Sequence, residues 1–187
     1  MWPLLTEYAV GKKLCIGSGT ELGTGWTNLD MNPESGAQVI HNLHDLPLPF
    51  ADEEFETVLA SHVLEHIDRP KTLPLVYDIA RILKPGGIFI VAVPFATSAV
   101  AYASPLHTQL FDDHSWQYFS KECYEKPGTD GYLANQGYQV ARWEQLKLAY
   151  VIAEDFVKCS QAELEYAKQH YLNVIRELFV VMRKIGM

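Results

Sequence analysis

The chain predicts an α/β protein built on a mostly parallel sheet, and three observations lead there. Short apolar runs such as "FETVLAS" and "IFIVAV" look like strands buried on both faces. Between them come loops and a segment with helical spacing of its apolar residues, the alternation that α/β folds require. Gly17-Ser18-Gly19 follows the first apolar run directly, where an open α/β sheet places its ligand crevice. A chain of 187 residues is long enough for one well-packed domain, so residues 1–187 are read as a single unit.

The elements follow in order. "KKLCIG" ends a first strand at Gly17, "WTNLD" gives a second that stops at Asp30, and "AQVIHN" is a third. "FETVLAS" is the fourth, with Thr57, Val58 and Leu59 at its centre. Leu75, Val76, Ile79, Ile82 and Leu83 then recur at helical spacing, which predicts a helix from about Pro70 to Leu83 with Asp68 capping its first amides. "KPGG" is expected to stop it, since Pro85 cannot continue the hydrogen bonding and the glycines permit a reversal. "IFIVAV", the most apolar run, predicts a central fifth strand. A loop rich in His and aromatics follows, "SPLHTQLFDDHSWQYFS", with a short helix near Trp116. "YQVARWEQLKLAYVIA" reads as a strand of an antiparallel ribbon, Ser160 and Glu163 as a capping box opening a helix through about Leu172, and "ELFVVMRK" as the last strand.

Charge and cysteine content exclude several classes. A formal net charge of -8 and the lack of any Lys/Arg-rich block argue against nucleic acid as a partner. Cys15, Cys123 and Cys159 lie far apart with no Cys-x-x-Cys pair, so a disulfide framework is not expected and a reducing compartment is. "MWPLLTEYAVGKK" lacks the basic start and apolar core of a signal peptide, which points to the cytoplasm. The nearly uncharged stretch from Ile88 to Leu106 approaches the length of a membrane span, but Pro94, Thr97, Ser98, Ser104 and Pro105 break it, and no span is expected.

Two motifs bear on chemistry. "SHVLEH" fits His-x-x-Glu-His, in which His62 and His66 on one helical face would grip zinc with Glu65 as base; a third ligand is needed, and the sequence identifies none. Gly17-Ser18-Gly19 by itself is equally a plain turn. Only eleven steps separate Gly19 from Asp30, however, too few for the helix plus strand of a dinucleotide site. That spacing leaves room for a nucleoside ligand without phosphate, and S-adenosylmethionine is one. Asp30, at the tip of the second strand, could accept hydrogen bonds from two ribose hydroxyls, or could be a turn residue before "MNP". Asp45 in "HDLPLPF" could take the adenine amino group while the amide of Leu46 meets a ring nitrogen, or could be a turn residue ahead of two prolines. A Gly-x-Gly and two acids at three successive strand ends favour a shared crevice.

From about Lys13 to Phe119 the chain resembles a class I S-adenosylmethionine-dependent methyltransferase of the small bacterial methyltransferase-11 type. The resemblance rests on "LCIGSG", "WTNLD", "DLPLPFADEEFETVLASHVLEHI" and "ILKPGGIFIVAVP", in that family's order and spacing. It implies a Rossmann-like, mostly parallel seven-stranded sheet with an antiparallel C-terminal strand. It further implies that Gly17, Ser18 and Gly19 line the methionine part of S-adenosylmethionine, that Asp30 holds the ribose, and that Met31 lies against the adenine face. Asp45 and Leu46 would read the adenine edge, while Ser61 and His62 would border the methionine moiety. "VLEH" would begin the helix after the fourth strand without a metal. The departure from the family is the shortened region after Gly19, from which Thr24 to Trp26 would approach the cofactor as a loop.

Methyl transfer from a sulfonium is an in-line displacement, and a base is needed only if the acceptor must lose a proton. His107, in the "P..H" of the loop after the fifth strand, is the first candidate, then His62, with His114 behind them. Tyr102, Phe111, Trp116 and Tyr118 could form an apolar wall for the acceptor. By resemblance the acceptor is a small molecule or glycan precursor. The alternatives are a cofactor-binding module without transferase activity and, more remotely, a zinc hydrolase.

Overall fold

The computed structural model describes residues 7–21, 23–119 and 141–187. Seven strands form one sheet: β1 (Lys13–Ile16), β2 (Thr27–Asp30), β3 (Val39–Ile40), β4 (Phe55–Ser61), β5 (Leu83–Pro94), β6 (Arg142–Ile152) and β7 (Ile175–Gly186). Their spatial order is β3-β2-β1-β4-β5-β7-β6. The pairs from β3 through β5 are parallel, and β7 runs antiparallel to both β5 and β6. Expectation and structure agree on this architecture.

Side chains alternate across the pleat and divide the core into two faces. Leu14, Ile16, Val58, Ala60, Phe89, Val91, Val180 and Met182 face one way, into the larger cluster that includes helix α1 (Arg69–Ile82) through Leu75, Val76 and Ile79. Cys15, Leu59, Ile90, Ala92, Phe179 and Val181 face the other way, where Trp26 and the half-buried Tyr8 cover them. No helix lies among the described residues between β1 and β2, as the short spacing predicted. Trp26, 8% exposed, packs on the sheet instead, and Gly23 lies so close that a Cβ there would meet the indole at 2.8 Å.

Several boundaries differ from expectation for identifiable reasons. The third strand is Val39–Ile40 only, the two residues that pair with Leu29 and Asp30. "VLEH" does not begin a long helix: Leu64–His66 is a 3-10 turn, Ile67 is extended, and α1 starts at Arg69. The carbonyls of Leu64 and Ile67 accept instead from the Gln109 side chain, both at 2.9 Å, and that of Ile67 also from Thr108 Oγ1 at 2.6 Å. Asp68 holds the N-cap position but makes no side-chain cap; its carboxylate faces His44 at 3.6 Å. "KPGG" does not separate helix from strand either. Leu83 pairs with Phe55 and Ile88 with Thr57, so the intervening residues bulge out of β5, helped by Gly86 at φ +75°.

Beyond β5 come α2 (Ala99–Ala103), α3 (Asp113–Gln117) and α4 (Gln161–His170). α3 is the short helix expected near Trp116, and α4 opens on the Ser160–Glu163 capping box but ends before Leu172. The Ile88–Leu106 stretch is β5 followed by a turn and α2; among the described residues no helix is long and apolar enough to cross a membrane. Cys123 and residues 1–6 of the N-terminal segment lie outside the described residues.

Arg81 fixes the loop before β4. It bonds Asp78 at 2.6 Å, Asp52 at 2.8 Å, and the carbonyls of Phe50 at 2.8 Å and Leu48 at 3.1 Å, while Asp78 also accepts from the Leu48 amide at 2.7 Å. Charged hydrogen bonds of this kind are among the stronger ones, and here they tie α1 to the chain that leads away from the cavity described next.

Candidate functional site

A cavity of about 280 Å³ opens at the carboxyl ends of β1 to β4, between Gly17, Asp30, Asn42 and His62. Gly17 has φ +61°, a left-handed conformation, and a Cβ there would come within 2.2 Å of Val63 Cγ2. Only glycine lets β1 end so close to the turn after β4. Gly19, at φ +53°, has nothing within 4 Å of where its Cβ would stand. Ser18 is buried and does not line the cavity; its amide donates to the Leu29 carbonyl at 3.1 Å and so holds the glycine turn against β2.

Asp30 lines the cavity from the end of β2, and its two oxygens have separate backbone partners. Oδ2 accepts from the Gly19 amide and Oδ1 from the Asn32 amide, both at 2.8 Å. Each oxygen retains a second lone pair for a ligand. Met31 lines the rim and is 65% exposed, which leaves its thioether free to cover a flat ring. Beneath Asp30, Cys15 is inert: burial first, then the Asp30 charge, push its thiol up to about 12.

The third wall differs from expectation. His41, Asn42, Leu43 and His44 line the cavity, whereas Asp45 is exposed outside it and Leu46 packs on the core. The strand ends at Ile40, so the carboxyl tip falls on "HNLH" and not on the acid downstream. The signal was present in the sequence as the polar residues next to "QVI", but the strand's end was placed too late. His41 Nε2–H donates to the Asp45 carbonyl at 2.7 Å, so Asp45 supports the wall through its backbone.

Ser61 closes β4, half-buried, without lining the cavity. His62 does line it, at φ +52°, an uncommon conformation for a non-glycine residue. Its Nε2 faces Glu177 at 3.7 Å and its Nδ1 faces Glu65 at 3.5 Å. These carboxylates, Glu177 first, pull the imidazole up to about 9. A cationic imidazole has no lone pair, so at neutral pH His62 cannot act as the base considered for it. Its pKa rises above the ordinary 6.5 on folding, so its contribution to stability is complete below about pH 6.5 and is lost as pH rises through about 9. Thermal melts should therefore show the wild type losing stability across that window while His62→Gln follows a flatter profile; parallel profiles would show that the carboxylates do not hold the proton.

The His-x-x-Glu-His segment does not place His62 and His66 on one helical face, because the chain there is a 3-10 turn. His66 lines the cavity, and its Nδ1–H donates to the Leu106 carbonyl at 3.2 Å. His107 does not line the cavity; it stands behind His66, ring centroids 4.8 Å apart, with Nδ1–H donating to the Ala101 carbonyl at 2.9 Å. The aromatic wall does not form. Phe111 and Trp116 are stacked in the core, Tyr102 and Tyr118 are exposed, and none of the four lines the cavity; His114 is exposed on α3.

Five parallel strands in the order 3-2-1-4-5, an antiparallel strand inserted beside the last of them, and a cavity over the carboxyl ends define the Rossmann-like class I methyltransferase fold. Residues 26–91 match the family model for a methyltransferase domain of the methyltransferase-11 type, and S-adenosylmethionine is the cofactor that this match implies. Similar solved structures include a S-adenosylmethionine-dependent methyltransferase from Archaeoglobus fulgidus, 15% identical, covering 98% of this chain and 89% of that one at TM-score 0.61. A second, from Mesorhizobium loti, is 14% identical with 98% and 97% coverage and TM-score 0.56. The [4+2]-cyclase SpnF is 16% identical, with 99% and 80% coverage and TM-score 0.60. At such identities the likeness is one of fold. No curated protein sequence matches the chain. The cavity suits the cofactor in kind: bare glycine backbone on one side, a carboxylate with free lone pairs on the next, and Leu43, Val63 and Ile67 as apolar lining.

Proposed function

We propose that the chain is a single-domain, cytoplasmic S-adenosylmethionine-dependent methyltransferase acting on a small-molecule or glycan-type acceptor. The observation that carries this reading is Asp30, a carboxylate pinned by two backbone amides and facing a cavity floored by Gly17 and Gly19. Bound there, S-adenosylmethionine supplies an activated methyl group for in-line displacement. Asp30 accepts from the ribose hydroxyls, Met31 covers the adenine, and Asn42 with Leu43 takes the edge that Asp45 and Leu46 do not reach. The backbone of Gly17, Ser18 and Gly19 lies along the methionine part, with Ser61 and His62 opposite. Around His62 two carboxylates face one imidazolium, and the net negative charge favours a sulfonium and an ammonium.

An acceptor that must lose its proton needs a base, and in the metal-free chain His107, one ring behind the cavity-lining His66, is the candidate, since its Nδ1–H is engaged and its Nε2 keeps a lone pair. The overall charge of -8 favours neutral or cationic acceptors over polyanions. The free thiols Cys15 and Cys159 accord with a cytoplasmic setting.

Calorimetric titration with S-adenosylmethionine, followed by transfer of a radiolabelled methyl group to a panel of small hydroxyl, amine and sugar acceptors, tests the proposal. Wild type should bind and transfer. His107→Ala should bind equally but turn over at least about 100-fold more slowly, the usual contribution of a positioned base. No heat and no thermal shift would overturn the cofactor reading. Binding without transfer to any acceptor would favour a non-methylating module, a reading lent weight by a cyclase among the structural neighbours.

A further inference from the structure

We infer that Glu65, His66 and His107 form a binding site for a divalent transition-metal cation of the Zn²⁺ type, set in the wall behind the cavity. One carboxylate oxygen of Glu65 and one ring nitrogen from each histidine lie within 4.8 Å of one another. Two imidazoles and a carboxylate are the ligand set of open zinc sites, which leave a fourth position for water or a bound molecule. His66 belongs both to this group and to the cavity lining, so the open position adjoins the cavity. The inference concerns the cation alone and does not depend on the methyltransferase reading.

A second observation points independently to a ligand. The Glu65 side chain is 3% exposed; its Oε1 faces His62 at 3.5 Å, while its Oε2 is buried without a hydrogen-bond partner. A buried carboxylate oxygen left bare is costly, and a cation would remove that cost. Glu65 shares its one imidazole partner, His62, with Glu177.

The histidines are also held as ligands are held. Each Nδ1–H donates to a backbone carbonyl, His66 to Leu106 at 3.2 Å and His107 to Ala101 at 2.9 Å. That arrangement fixes the tautomer and leaves the Nε2 lone pair for coordination, the outer-sphere pattern typical of metal-bound imidazole. The two chain segments that meet here are fastened together. The Thr108 amide donates to the Glu65 carbonyl at 2.8 Å, and the buried Gln109 side chain reaches the carbonyls of Leu64 and Ile67, both at 2.9 Å, and Thr72 Oγ1 at 2.7 Å. Ligand atoms on a tetrahedral Zn²⁺ stand about 3.4 Å apart, so binding draws the three groups inward by side-chain rotation about this fixed frame.

The zinc motif in the sequence thus has its Glu and second His in the site but not its first His. Glu65 serves as ligand and not as base, and the third ligand comes from a loop some forty positions on, where spacing alone could not reveal it. Coordination uses the lone pair that base catalysis by His107 would use, so the two roles exclude each other and metal binding decides between them.

The test is titration of the full-length, chelator-treated chain with ZnCl₂ by calorimetry, and with CoCl₂ by visible absorption. Wild type should bind one equivalent of each, with the intense ligand-field bands of four-coordinate cobalt. His107→Ala and Glu65→Gln should each weaken binding at least about 100-fold, since loss of an outer-sphere partner alone costs 10–100-fold. His170→Ala, a surface histidine stacked on Tyr166, should bind as wild type does. Titration of each variant with S-adenosylmethionine in the presence of a chelator reports separately on the cavity and on folding. No saturable binding by wild type, or equal affinity in wild type and His107→Ala, would overturn the inference.

Discussion

Asp30→Ala is expected to lower affinity for S-adenosylmethionine at least about 100-fold in calorimetric titration, because two charge-assisted hydrogen bonds at about 1.5–3 kcal/mol each are lost. The loss has two sources that the melting temperatures of this variant and a second one separate. In the proposed site the carboxylate would meet the ligand directly, and it also holds the Gly19 and Asn32 amides that shape the rim, each at 2.8 Å. Asp30→Asn keeps one oxygen acceptor but presents an NH₂ to one of those amides, so it disturbs the rim as well as the charge. If recognition of the ribose dominates, both variants retain the wild-type melting temperature and lose affinity. If the rim dominates, affinity falls together with the melting temperature. Unchanged affinity in Asp30→Ala would remove Asp30 from the site altogether and with it the observation on which the proposed function rests.

The parts of this protein that sequence disclosed and those it hid differ in the range of the physics involved. The strands β1, β4 and β5 were legible because a short continuous apolar run is a local pattern, and the absence of a helix after Gly19 was legible because a count of residues to Asp30 leaves no room for one. Asp30 and the glycine turn were legible for the same reason: they sit at strand ends fixed by those patterns. His41–His44 and not Asp45 and Leu46 line the third wall of the cavity because β3 pairs through only Leu29 and Asp30, and its length depends on where β2 stops. The family resemblance implies a helix starting at "VLEH", yet Thr108 and Gln109, over forty positions away, take the carbonyls that a helix would have used. His62 had the ordinary appearance of a titrating base, and the approach of Glu177 from β7, together with Glu65, makes it a cation. Phe111 and Trp116 stack with each other in the core, a pairing that spacing could not distinguish from a substrate wall.

Gly17→Ala is expected to be among the most damaging single substitutions, and comparison with Gly19→Ala isolates the reason. Both glycines have left-handed backbones, at φ +61° and +53°, so each alanine carries the conformational cost of about 1–2 kcal/mol that L side chains meet there. Only at Gly17 does the new methyl also collide, with Val63 Cγ2 at 2.2 Å and Val63 Cβ at 2.7 Å. Val63 lies in the turn that follows β4, so relief requires moving β1 away from that turn, and overpacking of this kind adds about 1–3 kcal/mol. Denaturant unfolding should then place Gly17→Ala about 2–5 kcal/mol below wild type, a large part of the 5–15 kcal/mol that holds a domain folded. Gly19→Ala should lose only the smaller conformational part, because open space surrounds its added methyl. Its further effect belongs to the cavity, onto which Gly19 opens, and should appear as weakened cofactor binding beyond what that small loss of stability explains. Equal destabilisation by the two alanines would mean that backbone conformation alone sets the cost, and that the close approach of β1 to Val63 has no part in shaping the floor of the site.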